Sequence, residues 1–126
     1  MPSLNFMKQF ASKIPLEKIH TIRRQRKRPF KIGDTLYMFT GQRTKYCKRL
    51  GEFPCLYVAD FSFETFPNKK GRIKIDNKII SGWYLYGLAI NDGFDNFQDF
   101  KDFFIKSGLP FKGQIIGWRE DINYAT

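Results

Sequence analysis

Cysteine and histidine are scarce in this chain, which has Cys47, Cys55 and the single imidazole of His20. The two cysteines form neither a CxxC pair nor a larger framework, so a disulfide scaffold and a zinc site are both excluded, and two reduced, partly buried thiols are expected. With one imidazole there is no Ser/His/Asp set to read, and no metal or cofactor is expected. No run approaches the ~20 apolar residues of a membrane span, and the first thirty residues hold no continuous apolar signal segment. The expected setting is cytoplasmic, without a membrane partner. Acidic residues are almost missing from the first half. Residues 1–50 set Glu17 and Asp34 against thirteen Lys/Arg, a balance of +11, whereas the remainder is close to neutral at −1. With a pI near 9.8, an asymmetry of this size is the electrostatic footprint of a polyanion binder. RNA or a nucleotide-like ligand is the expected partner.

What is present in quantity is phenylalanine. Fourteen Phe within 42% hydrophobic residues over 126 positions suffice for one core, so residues 1–126 are expected to form one domain and to stay monomeric. Leu4 to Ile14 reads as a short strand or arm followed by a helical turn that Pro15 stops. His20 to Gln25 alternates as a strand, with Thr21 and Arg23 on one face and Ile22 on the other. A basic run, Arg24 to Arg28, follows. Thr35 to Thr40 is β-branched and aromatic, and a long β-type stretch runs from Phe53 to Phe66. Arg72 to Ile80 reads as a hairpin turning at Asp76-Asn77. Ser81 is expected to cap a helix ending near Gly93, and Asn96 to cap a second that Gly108 ends. In that second helix Phe97, Phe100, Phe103 and Phe104 recur at core spacing. Gln114 to Trp118 closes the chain's strands. The pattern predicts an α+β fold: a small, mostly antiparallel β-barrel of five or six strands with two or three short helices.

Three ordered pieces carry a family likeness. They are Lys18-Ile19-His20-Thr21-Ile22-Arg23, then Gly33-Asp34-Thr35-Leu36 leading to Gly41-Gln42-Arg43-Thr44, then Ala89-Ile90-Asn91-Asp92-Gly93-Phe94. In order and spacing they resemble the ASCH family, a branch of the PUA-like fold, most closely its phage and prophage members. The resemblance implies a small β-barrel with a cleft between barrel and helices that binds RNA or nucleotides. A similar bacterial enzyme is an acetylcytidine amidohydrolase with a Lys, a Thr in the pattern K-x-x-T-x-R, and a Glu ahead of a helix. By position, the resemblance puts Lys18, Thr21 and Arg23 in that pattern. Asp92, one methylene shorter, stands where the Glu would be.

From the turn leading into its strand, the Lys18 amine is within reach of the Thr21 hydroxyl, and desolvation would lower its pKa toward that of a base. Asp92 would orient the amine or donate a proton. Arg23, Arg43 and Asp92 are expected to share one pocket with Thr21. His20 should face away from the Thr21 hydroxyl and matter less than Lys18. As cleft-surface residues, Lys18 and Thr21 should each cost no more than about 1 kcal/mol on truncation. Arg24, Arg26, Arg28 and Lys45 suit backbone phosphates; Arg43 and Thr44 follow a strand in a loop fitted to an anion, and Tyr37, Trp83 and Trp118 offer stacking surfaces. Three functions stand open on this reading: a nucleic-acid or nucleotide-binding module, a hydrolase of a modified nucleoside or RNA, and a phage-type module whose basic face engages an acidic protein.

Overall fold

The computed structural model describes residues 3–65 and 71–124. In chain order the described elements are β1 (Ser3–Phe6), α1 (Lys8–Ala11), β2 (His20–Arg24), β3 (Thr35–Thr40), β4 (Lys48–Pro54), β5 (Tyr57–Thr65), β6 (Gly71–Ile75), β7 (Lys78–Ile80), α2 (Trp83–Asn91), α3 (Phe97–Ser107) and β8 (Phe111–Gly117). The fold is α+β and mostly antiparallel, β1 with β3 being the parallel exception. Among the described residues the strands form two open sheets, not one closed barrel: β1-β3-β4, and β2-β8-β5-β6-β7.

Three layers follow, and strand β8 explains them. Its successive residues Ile115 and Ile116 point to opposite faces of the larger sheet, as the period of two requires. Ile115 joins Phe61, Phe63, Phe100 and Phe104 in the core under α2 and α3. Ile116 joins Leu4, Phe6, Leu36, Met38 and Trp118 in a second core between the two sheets. The sheets run into each other where β4 passes through Cys55 and Leu56 into β5. On the opposite side two edge strands approach, β1 and β2, and there a side chain stands in for ladder bonds: Arg23 Nη2 donates to the Asn5 carbonyl at 2.8 Å. This seam is where a barrel would have closed.

Several local readings change. The long stretch from Phe53 divides at Cys55 between β4 and β5, and Phe66 lies outside the described residues. The hairpin turn works without glycine because Asp76 and Asn77 both take positive φ, 50° and 69°, the conformation that Asn and Asp tolerate best after Gly. Helix α2 is capped by Gly82 at φ 64° and not by a Ser81 side chain. Asn96 does cap α3, accepting from Asp99 N at 2.8 Å. Of the four phenylalanines on α3, Phe100 and Phe104 are buried and Phe97 is half-buried, while Phe103 is exposed. Cys55 is buried, whereas Cys47 is exposed. No described helix is long and apolar enough to cross a membrane.

Candidate functional site

The end of α2 organises the site. A helix leaves its last carbonyls without intrahelical partners, and here Gly93, at φ 99°, turns the chain so that Gly93 N donates to Ile90 O and Phe94 N to Ala89 O. That is the paired-bond geometry of a Schellman ending. The carbonyls beyond it are met from the segment leading into β2. Ile19 N donates to Asn91 O, Lys13 Nζ to Gly93 O at 2.7 Å, and Lys18 Nζ to Asp92 O. Two amines at the negative end of the helix dipole are favourably placed. The close approach needs glycine at 93, since a Cβ there would lie 3.0 Å from Phe10 and 3.2 Å from the Lys18 stem.

Around this junction five polar side chains form a directional chain. Lys18 Nζ lies 3.2 Å from Asp92 Oδ1, and His20 Nδ1 lies 3.1 Å from the same oxygen. His20 Nε2 meets the Tyr124 hydroxyl at 2.5 Å, whose oxygen accepts from Asn91 Nδ2 at 2.9 Å. Lys18, His20, Asp92 and Tyr124 are all buried. Burial lowers the Lys18 amine from the usual lysine range, with Asp92 opposing and Arg23 and Lys13 adding to the fall. Burial likewise lowers His20, with Asp92 opposing, and raises the Tyr124 phenol, with Asn91 opposing. His20 is therefore neutral near pH 7. The Tyr124 proton has an acceptor only if Nε2 is bare, so Nδ1 carries the imidazole hydrogen and donates it to Asp92.

Beside this chain a cleft of about 230 Å³ opens between β1, the edge of β2, and α3. Lys18, Thr21, Arg23, Arg24 and Asp92, with Asn5 and Ser107, supply its polar groups, and Phe6, Phe10, Phe94, Phe103, Phe104 and Phe111 its walls. The Lys18 amine is 5.0 Å from the Phe10 ring centre, the Arg23 guanidinium 5.0 Å from that of Phe6, and the Arg24 guanidinium 4.6 Å from that of Phe111. Such cation–ring contacts hold charged groups against an apolar wall. Arg23 Nε donates to the Thr21 hydroxyl at 3.2 Å, and burial lowers the Arg23 guanidinium, with Asp92 opposing.

The structure thus brings together Lys18, Thr21, Arg23, Arg24 and Asp92 but not Arg43. That residue sits exposed at φ 67° in the β3–β4 loop with Thr44 and Lys45, and Tyr37 is half-buried on β3. Arg26 and Arg28 line a separate basic depression with Lys27 and Lys31; Arg26 also borders a smaller one shared with Arg23. Trp118 is buried, donating from Nε1 to Lys18 O at 3.1 Å, and Trp83 is exposed outside the cleft lining. One expectation about the polar set fails. Lys18 and Thr21 are buried, at 3% and 5% exposure, so truncating Lys18 strands a carboxylate without its counter-ion, a loss of about 3–5 kcal/mol and not 1. His20 indeed faces away from Thr21, yet it is central, because the other face of β2 is where Asp92 sits. Its spacing of two from Lys18 carried that signal. Tyr124, thirty residues past the end of the nearest motif at Phe94, left none. Among the described residues no group of three His, Cys, Asp or Glu is placed to hold a metal.

His20 is the only histidine, which isolates its effect on stability. Below about pH 6.5, the ordinary imidazole value, the unfolded chain takes up a proton that the folded chain resists, so the unfolded state binds more protons and stability falls with falling pH. Urea unfolding between about pH 7 and 5 should show that loss, and His20→Gln should flatten it; equal slopes for both proteins would contradict a buried neutral His20. No protein-family model, curated protein or solved structure matches this chain, and its functional reading rests on the residues of the cleft.

Proposed function

We propose that the chain is a nucleotide- or RNA-binding module, an ASCH-type domain whose two sheets are an opened form of the PUA-like barrel. One observation carries this reading: seven polar or charged residues and six phenylalanines converge on one small cleft. Its size is below the roughly 300–1,000 Å³ of sites for drug-sized molecules, which suits a single ring system such as a base. Aromatic walls favour stacking on such a ring, and Asp92, Thr21 and Lys18 offer hydrogen bonds to its edge. From the rim, Arg23 leads to Arg26 and on to Arg28, Lys27 and Lys31. That order of charges matches a ligand whose base enters the cleft while its phosphates follow the basic run.

A second reading is favoured by a different feature of the same cleft. Lys18, Thr21 and Asp92 all line it, and burial lowers the Lys18 amine, as a Thr nucleophile with a Lys base would require. On that reading Thr21 Oγ1 attacks the acyl carbon, Lys18 takes the hydroxyl proton and passes it to the leaving amine, and water, giving a proton to Lys18, then cleaves the Thr21 ester to release the carboxylate and restore the hydroxyl. The Lys18 amine now spends its bonds on Asp92, so the amine must turn toward Thr21 for this step.

Fluorescence anisotropy with a short single-stranded RNA should show binding that weakens between about 50 and 200 mM salt, and replacing Arg26 and Arg28 by Ala should reduce the logarithmic slope by roughly 1.4. Absent binding at low salt, or binding indifferent to salt, would end the RNA reading. The enzyme reading is tested by mass spectrometry on acylated cytidine. It expects release of the acyl group by the wild type and a rate at least about 100-fold lower in Thr21→Ala of equal melting temperature; no turnover by the wild type eliminates it.

A further inference from the structure

Asp92 uses its oxygens unequally. Both of its side-chain partners, Lys18 Nζ and His20 Nδ1, meet Oδ1, and no buried side-chain oxygen among the described residues lacks a hydrogen-bond partner. Among the described residues Oδ2 has no such partner, and it is therefore not sealed in the protein. Asp92 lines the cleft, and Oδ2 is the carboxylate atom that its side-chain partners leave open to a ligand there. A carboxylate could rotate about its Cβ–Cγ bond and turn its second oxygen out of the cleft; the pair of donors on Oδ1 holds its plane in place. Of these, Lys18 is a flexible chain with three rotatable hydrogens. His20 is a rigid ring, and its orientation is set from the far side by the Tyr124 hydroxyl, itself held by Asn91 Nδ2.

Tyr124 belongs to the segment that follows β8, and that segment is anchored. Ile122 and Tyr124 are both buried in the core beneath α2. A Cβ at Gly117 would lie 2.5 Å from the Ile122 side chain, and one at Gly87 would touch the Tyr124 ring at 4.0 Å. The phenol thus reaches His20 from a fixed backbone, approaching the imidazole edge-on with ring centres 5.7 Å apart.

We infer that Tyr124 is a positioning residue for the cleft: acting through His20 it fixes the Asp92 carboxylate so that Oδ2 stands free as the acceptor for an N–H group of the ligand. This rests on the nucleotide-binding reading and names the edge of the base that the cleft reads, an N–H donor beside a stacking face. Neutral imidazole, accepting from Tyr124 and donating to Asp92, is the only arrangement that gives every hydrogen in the chain an acceptor.

Long-range proton–nitrogen NMR of the uniformly ¹⁵N-labelled wild type tests the strap directly, since only one histidine is present. A neutral ring with hydrogen on Nδ1 at pH 7 is expected; hydrogen on Nε2, or on both nitrogens, overturns the inference, whatever the protein binds. Titration of the same sample with the four ribonucleoside 5′-monophosphates then measures affinity. Tyr124→Phe, which keeps the buried ring, should move the Nε2 resonance and weaken the tightest of the four by about tenfold, one hydrogen bond's worth. In an Asp92→Asn background the same change should have no further effect, because the acceptor it positions is gone. Unchanged affinity in Tyr124→Phe, or an equal loss in both backgrounds, overturns the positioning role. If the wild type binds none of the four, the nucleotide reading fails while the Nδ1 result still decides the strap.

Discussion

The interaction on which the rest depends is the buried meeting of the Lys18 amine with the last turn of α2. Placing an ammonium and a carboxylate inside a protein is costly unless each is paired and hydrogen-bonded. Here Lys18 satisfies both the Asp92 side chain and the Asp92 carbonyl, and His20 shares the carboxylate. The same contact joins two parts of the chain more than seventy residues apart, the lead-in to β2 and the end of α2. It is reinforced by Ile19 N to Asn91 O, and by Trp118, whose backbone N–H donates to Ile19 O. The cleft exists because this joint holds the helical layer against the edge of β2 while the seam with β1 stays open.

That open seam separates two kinds of chemistry on neighbouring faces of one strand. His20 and Ile22 turn toward the helices, where solvent is excluded and charge must be matched inside the protein. Thr21 and Arg23 turn toward β1, where Arg23 takes the Asn5 carbonyl that a strand partner would otherwise have used. The cleft wraps around this edge and draws residues from both faces. Positive charge then continues outward along the β2–β3 connection, through Arg26 and Arg28, where side chains are exposed. A ligand with a flat apolar part and an anionic tail matches this gradient from buried, directional polarity to diffuse positive field.

The sequence conveyed the elements better than their closure. The β-branched and aromatic run Thr35 to Thr40, the cap at Asn96 and the turn at Gly93 each depend on a few adjacent residues, and each appears where the local chemistry places it. The barrel did not follow from those signals, because whether β1 and β2 pair is decided by Arg23, a residue that reads equally well as a phosphate ligand. Phe103 was assigned to the core by spacing alone, yet it is left exposed and lines the cleft. Within the site, Lys18, Thr21 and Asp92 came from a motif resemblance, and their shared lining of one cleft is a geometric fact the spacing of one segment cannot supply. Arg43 was grouped with them through the ordered motifs, but it lies exposed in the β3–β4 loop and does not line the cleft. Tyr124 was invisible because its partner, His20, lies 104 residues away.

A double-mutant cycle on the buried pair tests the organising role of the Lys18 contact most directly. Lys18→Met, Asp92→Leu and the double variant would be compared with the wild type by urea unfolding at pH 7. Each single change leaves one buried polar partner uncompensated and should cost about 3–5 kcal/mol, whereas the double change removes both charges together and should cost clearly less than the sum. A coupling above about 1 kcal/mol is the predicted result. Additive losses within about 0.5 kcal/mol would mean that Lys18 and Asp92 stand side by side without depending on each other, and would contradict the account.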